Sequence, residues 1–86
     1  MQQKSKLLQK AISKVVINLN KQNDTKYLKF CDENSISTST YDNILNANTN
    51  VTVYTLSKII KGHSLTFEQF GALIDKSIDK EFWEED

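Results

Sequence analysis

The chain contains no arginine and no proline, and only one cysteine, one histidine, one tryptophan and two glycines. Without arginine there is no planar guanidinium fork to clasp a guanine edge or a phosphate. Any anion must be met by lysine, hydroxyl, amide or backbone donors. A lone cysteine, Cys31, excludes an internal disulfide and fits a reducing intracellular setting. One histidine and one cysteine are too few ligands for a zinc site, so no metal is expected. Cys31 and His63 lie far apart in sequence with no third member singled out beside them. Cys31 suits buried packing between two helices better than nucleophilic work, and His63 suits capping or packing near a helix end. No glycine-rich phosphate loop is present. Enzyme chemistry and a cofactor are therefore not expected. No apolar run approaches membrane-spanning length, and the basic start lacks the apolar stretch of a signal peptide, so the expected location is the cytoplasm.

What is present is lysine, unevenly spread. The 86 residues carry 11 lysines and 11 acids, for a net charge of zero. Residues 1–29 hold seven of the lysines and a single acid, Asp24, whereas residues 30–86 hold four lysines and ten acids. A zero balance weakens a nucleic-acid partner, but the basic first third can still meet phosphates. A solvated helix face is the plainer explanation for any single lysine.

Helical spacing of apolar residues dominates, and strand alternation is missing, which predicts an all-α domain. Leu7, Leu8, Ala11, Ile12, Val15, Val16 and Leu19 make one face of a first helix over residues 5–20. Asp24 or Thr25 is expected to cap a second helix over residues 25–34, anchored by Phe30. Ser35 and Ile36 turn the chain, and Ser37 is expected to cap a third helix ending near Asn46, with Tyr41, Ile44 and Leu45 inward. Residues 46–50 form a polar loop. A fourth helix spans residues 52–61, with Val53, Leu56, Ile59 and Ile60 inward and Gly62 as its stop. Thr66-Phe67-Glu68-Gln69 matches a capping box and opens a fifth helix. Its apolar stripe is Phe67, Phe70, Leu73, Ile74 and Ile78. Residues 1–78 are expected to form the domain. Residues 79–86 are an acidic C-terminal tail around Phe82 and Trp83, ending in the solvated acids Glu84, Glu85 and Asp86.

Two short helices joined by so tight a turn suggest a helix-turn-helix. The order and spacing over residues 25–74 resemble the lambda-repressor-like (Cro/repressor, XRE-type) DNA-binding domain, and the first helix fits in position. The third helix of that family commonly reads apolar, Ser, variable, Ser/Thr, Thr, apolar; here Ile36-Ser37-Thr38-Ser39-Thr40-Tyr41 is followed by Ile44-Leu45-Asn46. Leu56, Ile59, Leu65, Thr66, Phe67 and Phe70 fit the later family segment. Ala47 stands where Gly is usual, Leu45 where Glu is frequent, Val51 where Pro is common and His63 where Leu is usual. Phe30-Cys31 replaces Leu-Ala, and Leu28 is apolar where a polar residue is expected.

The resemblance implies a five-helix, lambda-repressor-like helix-turn-helix domain that binds double-stranded DNA as a repressor-like transcription regulator. A phage, mobile-element or toxin–antitoxin origin would suit it. By position, base readers would be Thr38, Ser39 and Asn43, with Thr40 and Asp42 at secondary base edges. Phosphate contacts would come from Lys26, Tyr27, Lys29, Asn48, Thr49 and Asn50. For the Ser and Thr residues the bland alternative is capping and solvation, and for Tyr27 it is core packing. A homodimer over a palindrome is implied, with Phe70, Leu73, Ile74, Ile78, Phe82 and Trp83 at its interface. Trp83 has the alternative of folding onto its own core, or of docking a protein partner through the acidic tail. The competing function is a protein-interaction module that retains the helix-turn-helix fold without DNA binding. An antitoxin would combine both roles, its acidic tail gripping a basic toxin.

Overall fold

The computed structural model describes residues 4–84, and Glu85 and Asp86 of the expected tail lie outside the described residues. Five α-helices follow in order: α1 (Lys4–Gln22), α2 (Tyr27–Glu33), α3 (Thr38–Leu45), α4 (Val53–Gly62) and α5 (Phe67–Ser77), with a 3-10 turn at Lys80–Trp83. No strand occurs among the described residues. The all-α expectation holds, with boundaries shifted by one or two residues.

The long α1 is the spine. It packs against α3, α5 and the 3-10 turn, while α2 packs on α3 and α4 on α5. The apolar face of α1 supplies Ile12, Val15, Val16 and Leu19 to the core. They meet Phe30 and Cys31 of α2, Ile36 of the turn, Tyr41 and Ile44 of α3, Ile59 and Ile60 of α4, and Phe70 of α5. Each such side chain contributes about 1.5–3 kcal/mol when withdrawn from water. Ser13, polar yet buried within that face, donates its hydroxyl to the Leu45 carbonyl, so it brings no unsatisfied group inside.

The turns explain how a chain so poor in glycine changes direction. A helix commonly ends on a left-handed residue that lets two amides fold back onto its last free carbonyls. Each of α1 to α4 ends this way, and the left-handed residues are Asp24, Ser35, Ala47 and Ser64, with φ of 50°, 56°, 56° and 59°. The next amide then reaches back five residues: Thr25 to Asn20, Ile36 to Cys31, Asn48 to Asn43 and Leu65 to Ile60, at 2.9, 2.9, 2.8 and 3.0 Å. No glycine has a positive φ. The four termini are thus closed by residues that carry a backbone penalty, offset by the bonds they complete.

Gly62 is therefore not the stop of α4, contrary to expectation. It is the last helical residue, and the left-handed position is Ser64. Gly62 is small because α2 comes close: a Cβ there would sit 2.7 Å from Phe30 Cε1 and Cζ and 2.8 Å from Asn34 Nδ2. The expected side-chain cap of α2 is also absent. Lys26 holds the N-cap position without a side-chain bond, and Asp24 is committed to the preceding turn. The caps at Ser37 and Thr66 are as expected, and Thr52, expected as the first helical residue of α4, is instead its cap. Ser37 accepts from the Thr40 amide, Thr52 from the Thr55 amide, and Thr66 with Gln69 forms the reciprocal capping box. Val53 and Phe67, expected inward, are instead 72 % and 56 % exposed. Both occupy the first position of their helix and stand at the rim of a groove rather than in the core.

Candidate nucleic-acid interface

The face that matters is built by α2, α3 and the turn at residues 34–37 between them. Tyr41 fixes α3 from behind. It is wholly buried, edge-on to Tyr27 at 5.4 Å between ring centroids and tilted against Phe30 at 5.4 Å. Its hydroxyl lies 2.9 Å from Asn20 Nδ2 and 3.1 Å from Asn20 Oδ1, so α1 holds the far end of the ring. Burial raises the Tyr41 phenol above its ordinary range, with the Asn20 bond opposing. With Tyr41 and Ile44 facing in, the helical period turns Thr38, Ser39, Asp42 and Asn43 to solvent, and all four are exposed.

The Tyr27 hydroxyl donates to the Thr38 carbonyl at 2.9 Å, stapling the start of α2 to the start of α3. Partial burial, then the nearby Asp42 carboxylate, raise the Tyr27 phenol, which keeps that proton on the donor. Tyr27 is thereby committed first to positioning α3. Thr40 is similarly occupied: its hydroxyl accepts from Ser37 Oγ at 2.7 Å. Among the expected readers this leaves Thr38, Ser39 and Asn43 with side chains not bonded within the described residues, and Asp42 beside them as the one carboxylate on the helix.

Lys26 and Lys29 are exposed and bond to no carboxylate among the described residues. They line a shallow depression of 430 Å³ together with Asp24, Glu33, His63 and Ser64. This flank is mixed in charge rather than purely basic. In the loop after α3, Asn48 is exposed, Thr49 is half-buried, and Asn50 is exposed with its Oδ1 accepting from Gln9 Nε2 at 2.8 Å. Ala47 takes the left-handed turn without the freedom of a glycine. Its carbonyl accepts from Lys6, so that lysine is spent on holding the loop.

Sequence patterns did not reveal a second clamp. Lys58 of α4 donates to the Ser35 carbonyl at 2.9 Å and lies 4.6 Å from the centre of the exposed Tyr54 ring. It ties α4 to the turn between α2 and α3. A lysine one helical turn after a tyrosine was the available signal, but its target, a backbone carbonyl 23 positions away, leaves no trace in the pattern.

The expected pairing residues separate. Phe70 is 2 % exposed and belongs to the core, showing only an edge in the floor of the groove over α5. Leu73 borders a small depression between α1 and α5 with Leu19 and Lys76. Ile74, Ile78, Phe82 and Trp83 do come together, in an apolar groove across α5. Trp83 is 68 % exposed and does not fold onto the core; the half-buried Phe82 stands edge-on to it at 4.9 Å. Residues 80–83 pack on α1, and Lys4 donates to the Glu84 carbonyl.

Cys31 is buried, and its thiol is raised by that burial, which disfavours the reactive thiolate. His63 stacks on Phe30 at 4.7 Å, and Asn23 Nδ2 lies 3.0 Å from its Nδ1. Among the described residues no cluster of His, Cys, Asp and Glu is arranged to hold a metal, and no helix is long and apolar enough to cross a membrane. No family model matches the chain, and no curated protein or solved structure matches it.

Proposed function

We propose that the chain is a small sequence-specific DNA-binding regulator of the lambda-repressor-like kind. In it α2 and α3 form the helix-turn-helix, and α3 enters the major groove of double-stranded DNA. The observation that carries this is the lip of α3: Thr38, Ser39 and Asn43 project unbonded to solvent while Tyr41, locked between Asn20, Tyr27 and Phe30, holds the helix rigidly from behind. Asn43 can pair with both edge atoms of an adenine, and the Thr38 methyl can meet a thymine methyl. Lys26 and Lys29 flank the lip as phosphate contacts, and Asn48, Thr49 and the free amide of Asn50 donate from the loop. With no guanidinium available, sites rich in A·T are favoured, and affinity for a single half-site is modest. Two copies on a two-fold operator, one per half-site, supply the rest, and blocking a promoter is the regulatory act. A phage or mobile-element repressor is the kind of protein this describes.

Selection of binding sites from random DNA at two salt concentrations tests the proposal. A consensus should emerge, weaken at the higher salt, and vanish with Asn43→Ala while the fold is retained. Failure to enrich any sequence at low salt would leave the second reading, a protein-interaction module on the same fold. That reading draws on Asp42, which sits on the reading face and repels phosphate, and on the zero net charge.

A further inference from the structure

A large apolar feature of the surface lies away from α3. A groove of 680 Å³ runs over α5 between the start of α4, the start of α1 and the 3-10 turn. Val53, Phe67 and Trp83 stand along it at 72 %, 56 % and 68 % exposure. Leu56, Ile74 and Ile78 are half-buried beneath. Gly71 opens the middle: a Cβ there would meet nothing within 4 Å, so the α5 backbone is bare at that point. Leaving three large apolar side chains on one face of so small a domain is costly unless something covers them.

The charges on the groove select the occupant. Its lining includes two carboxylates, Glu68 and Asp75, and no lysine. They stand seven positions apart on α5, two helical turns, and so on the same side of the groove. A second copy related by two-fold symmetry would bring four carboxylates and no cation into one apolar contact, because such an interface presents the same patch twice. A partner carrying lysine or arginine at that spacing would neutralise both. The groove edge on α5, from Phe67 to Ile78, is about 16 Å long at 1.5 Å per residue, the length of three turns of helix.

We propose that this groove receives an amphipathic helix of another protein, apolar on one face and basic along its flank. Its apolar face settles between Val53, Phe67 and Trp83, and its cations pair with Glu68 and Asp75. This surface is separate from the α3 lip, so docking and DNA binding are tested independently.

Trp83 is the only tryptophan and lines the groove, so its emission reports occupancy directly. The probe is a 14-residue Leu/Lys amphipathic peptide without tryptophan, titrated into the full chain, with a Leu/Glu counterpart of the same pattern as control. The expected result is a saturable shift of Trp83 emission to shorter wavelength with the Lys peptide and none with the Glu peptide. Reversing both charges (Glu68→Lys with Asp75→Lys) should weaken the Lys peptide by about tenfold or more, since two attractions become repulsions. Val53→Ser with Phe67→Ser, both at exposed positions, should abolish binding while the helical circular dichroism is unchanged. The proposal is overturned if the Lys peptide gives no shift, if both peptides bind alike, or if the serine variant binds as well as the parent. It is equally overturned if emission shifts with protein concentration alone and sedimentation shows a dimer, because the groove then belongs to a second copy.

Discussion

The two glycines should respond to the same substitution with opposite signs. Alanine at Gly62 places a Cβ 2.7 Å from Phe30 Cε1 and Cζ, well inside contact distance. The ring cannot retreat, since it is stacked on His63 at 4.7 Å and tilted against Tyr41 at 5.4 Å. Asn34 Nδ2, 2.8 Å from the same Cβ, is itself held by the Phe30 carbonyl at 2.9 Å. Overpacking of this kind costs about 1–3 kcal/mol. The helix-propensity gain of at most about 1 kcal/mol is smaller still at the last residue of a helix. Gly62→Ala should therefore lose about 1–2 kcal/mol, a fall of several degrees or more in melting temperature at roughly 4–8 °C per kcal/mol. Gly71 lies in the middle of α5 with open space around it, so Gly71→Ala should gain about 0.5–1 kcal/mol. Urea titrations and thermal melts followed at 222 nm measure both. In a double-mutant cycle, Phe30→Leu should relieve Gly62→Ala by at least about 0.5 kcal/mol. If both alanines raise stability equally, or the cycle shows no coupling, the close approach of α2 to α4 is wrong.

Three further outcomes follow from the same physics. Burial lowers the His63 pKa in the fold, so the unfolded chain takes up its proton first; stability conferred by neutral His63 is present above about pH 6.5 and is lost as pH falls through the depressed folded value. His63→Leu should flatten that part of the stability profile, and because it also removes the buried, unpartnered Nε2, it should be the more stable protein at every pH tested by urea titration. Ser64→Gly, at an exposed left-handed position, should stabilise by about 0.5–1 kcal/mol, the backbone relief of about 1–2 less the entropy of glycine. For DNA, Lys26→Ala and Lys29→Ala should each reduce the slope of log K against log salt by about one unit, while Lys76→Ala, beside the depression between α1 and α5, should leave it unchanged; equal slopes for all three would remove the two lysines from the interface.

Local sequence determined the helices, most of their caps and most of the core. The period of Ile12, Val15, Val16 and Leu19, the caps at Ser37 and Thr66, and the inward set Tyr41 and Ile44 all depend on residues within a few positions of one another, and such signals survive without knowledge of the fold. The outward face of α3 follows from the same period once Tyr41 and Ile44 are known to point in. Tertiary structure decided the rest. Gly62 looked like a helix stop because glycine usually serves there, whereas its role is set by a phenylalanine 32 positions earlier in the chain (62 − 30). The exposure of Val53 and Phe67 depends on where neighbouring helices end, and the linkage of Lys58 to the Ser35 carbonyl on where α4 crosses the turn. A helical period states which side chains share a face; only the packing of the other helices determines how much of that face is covered.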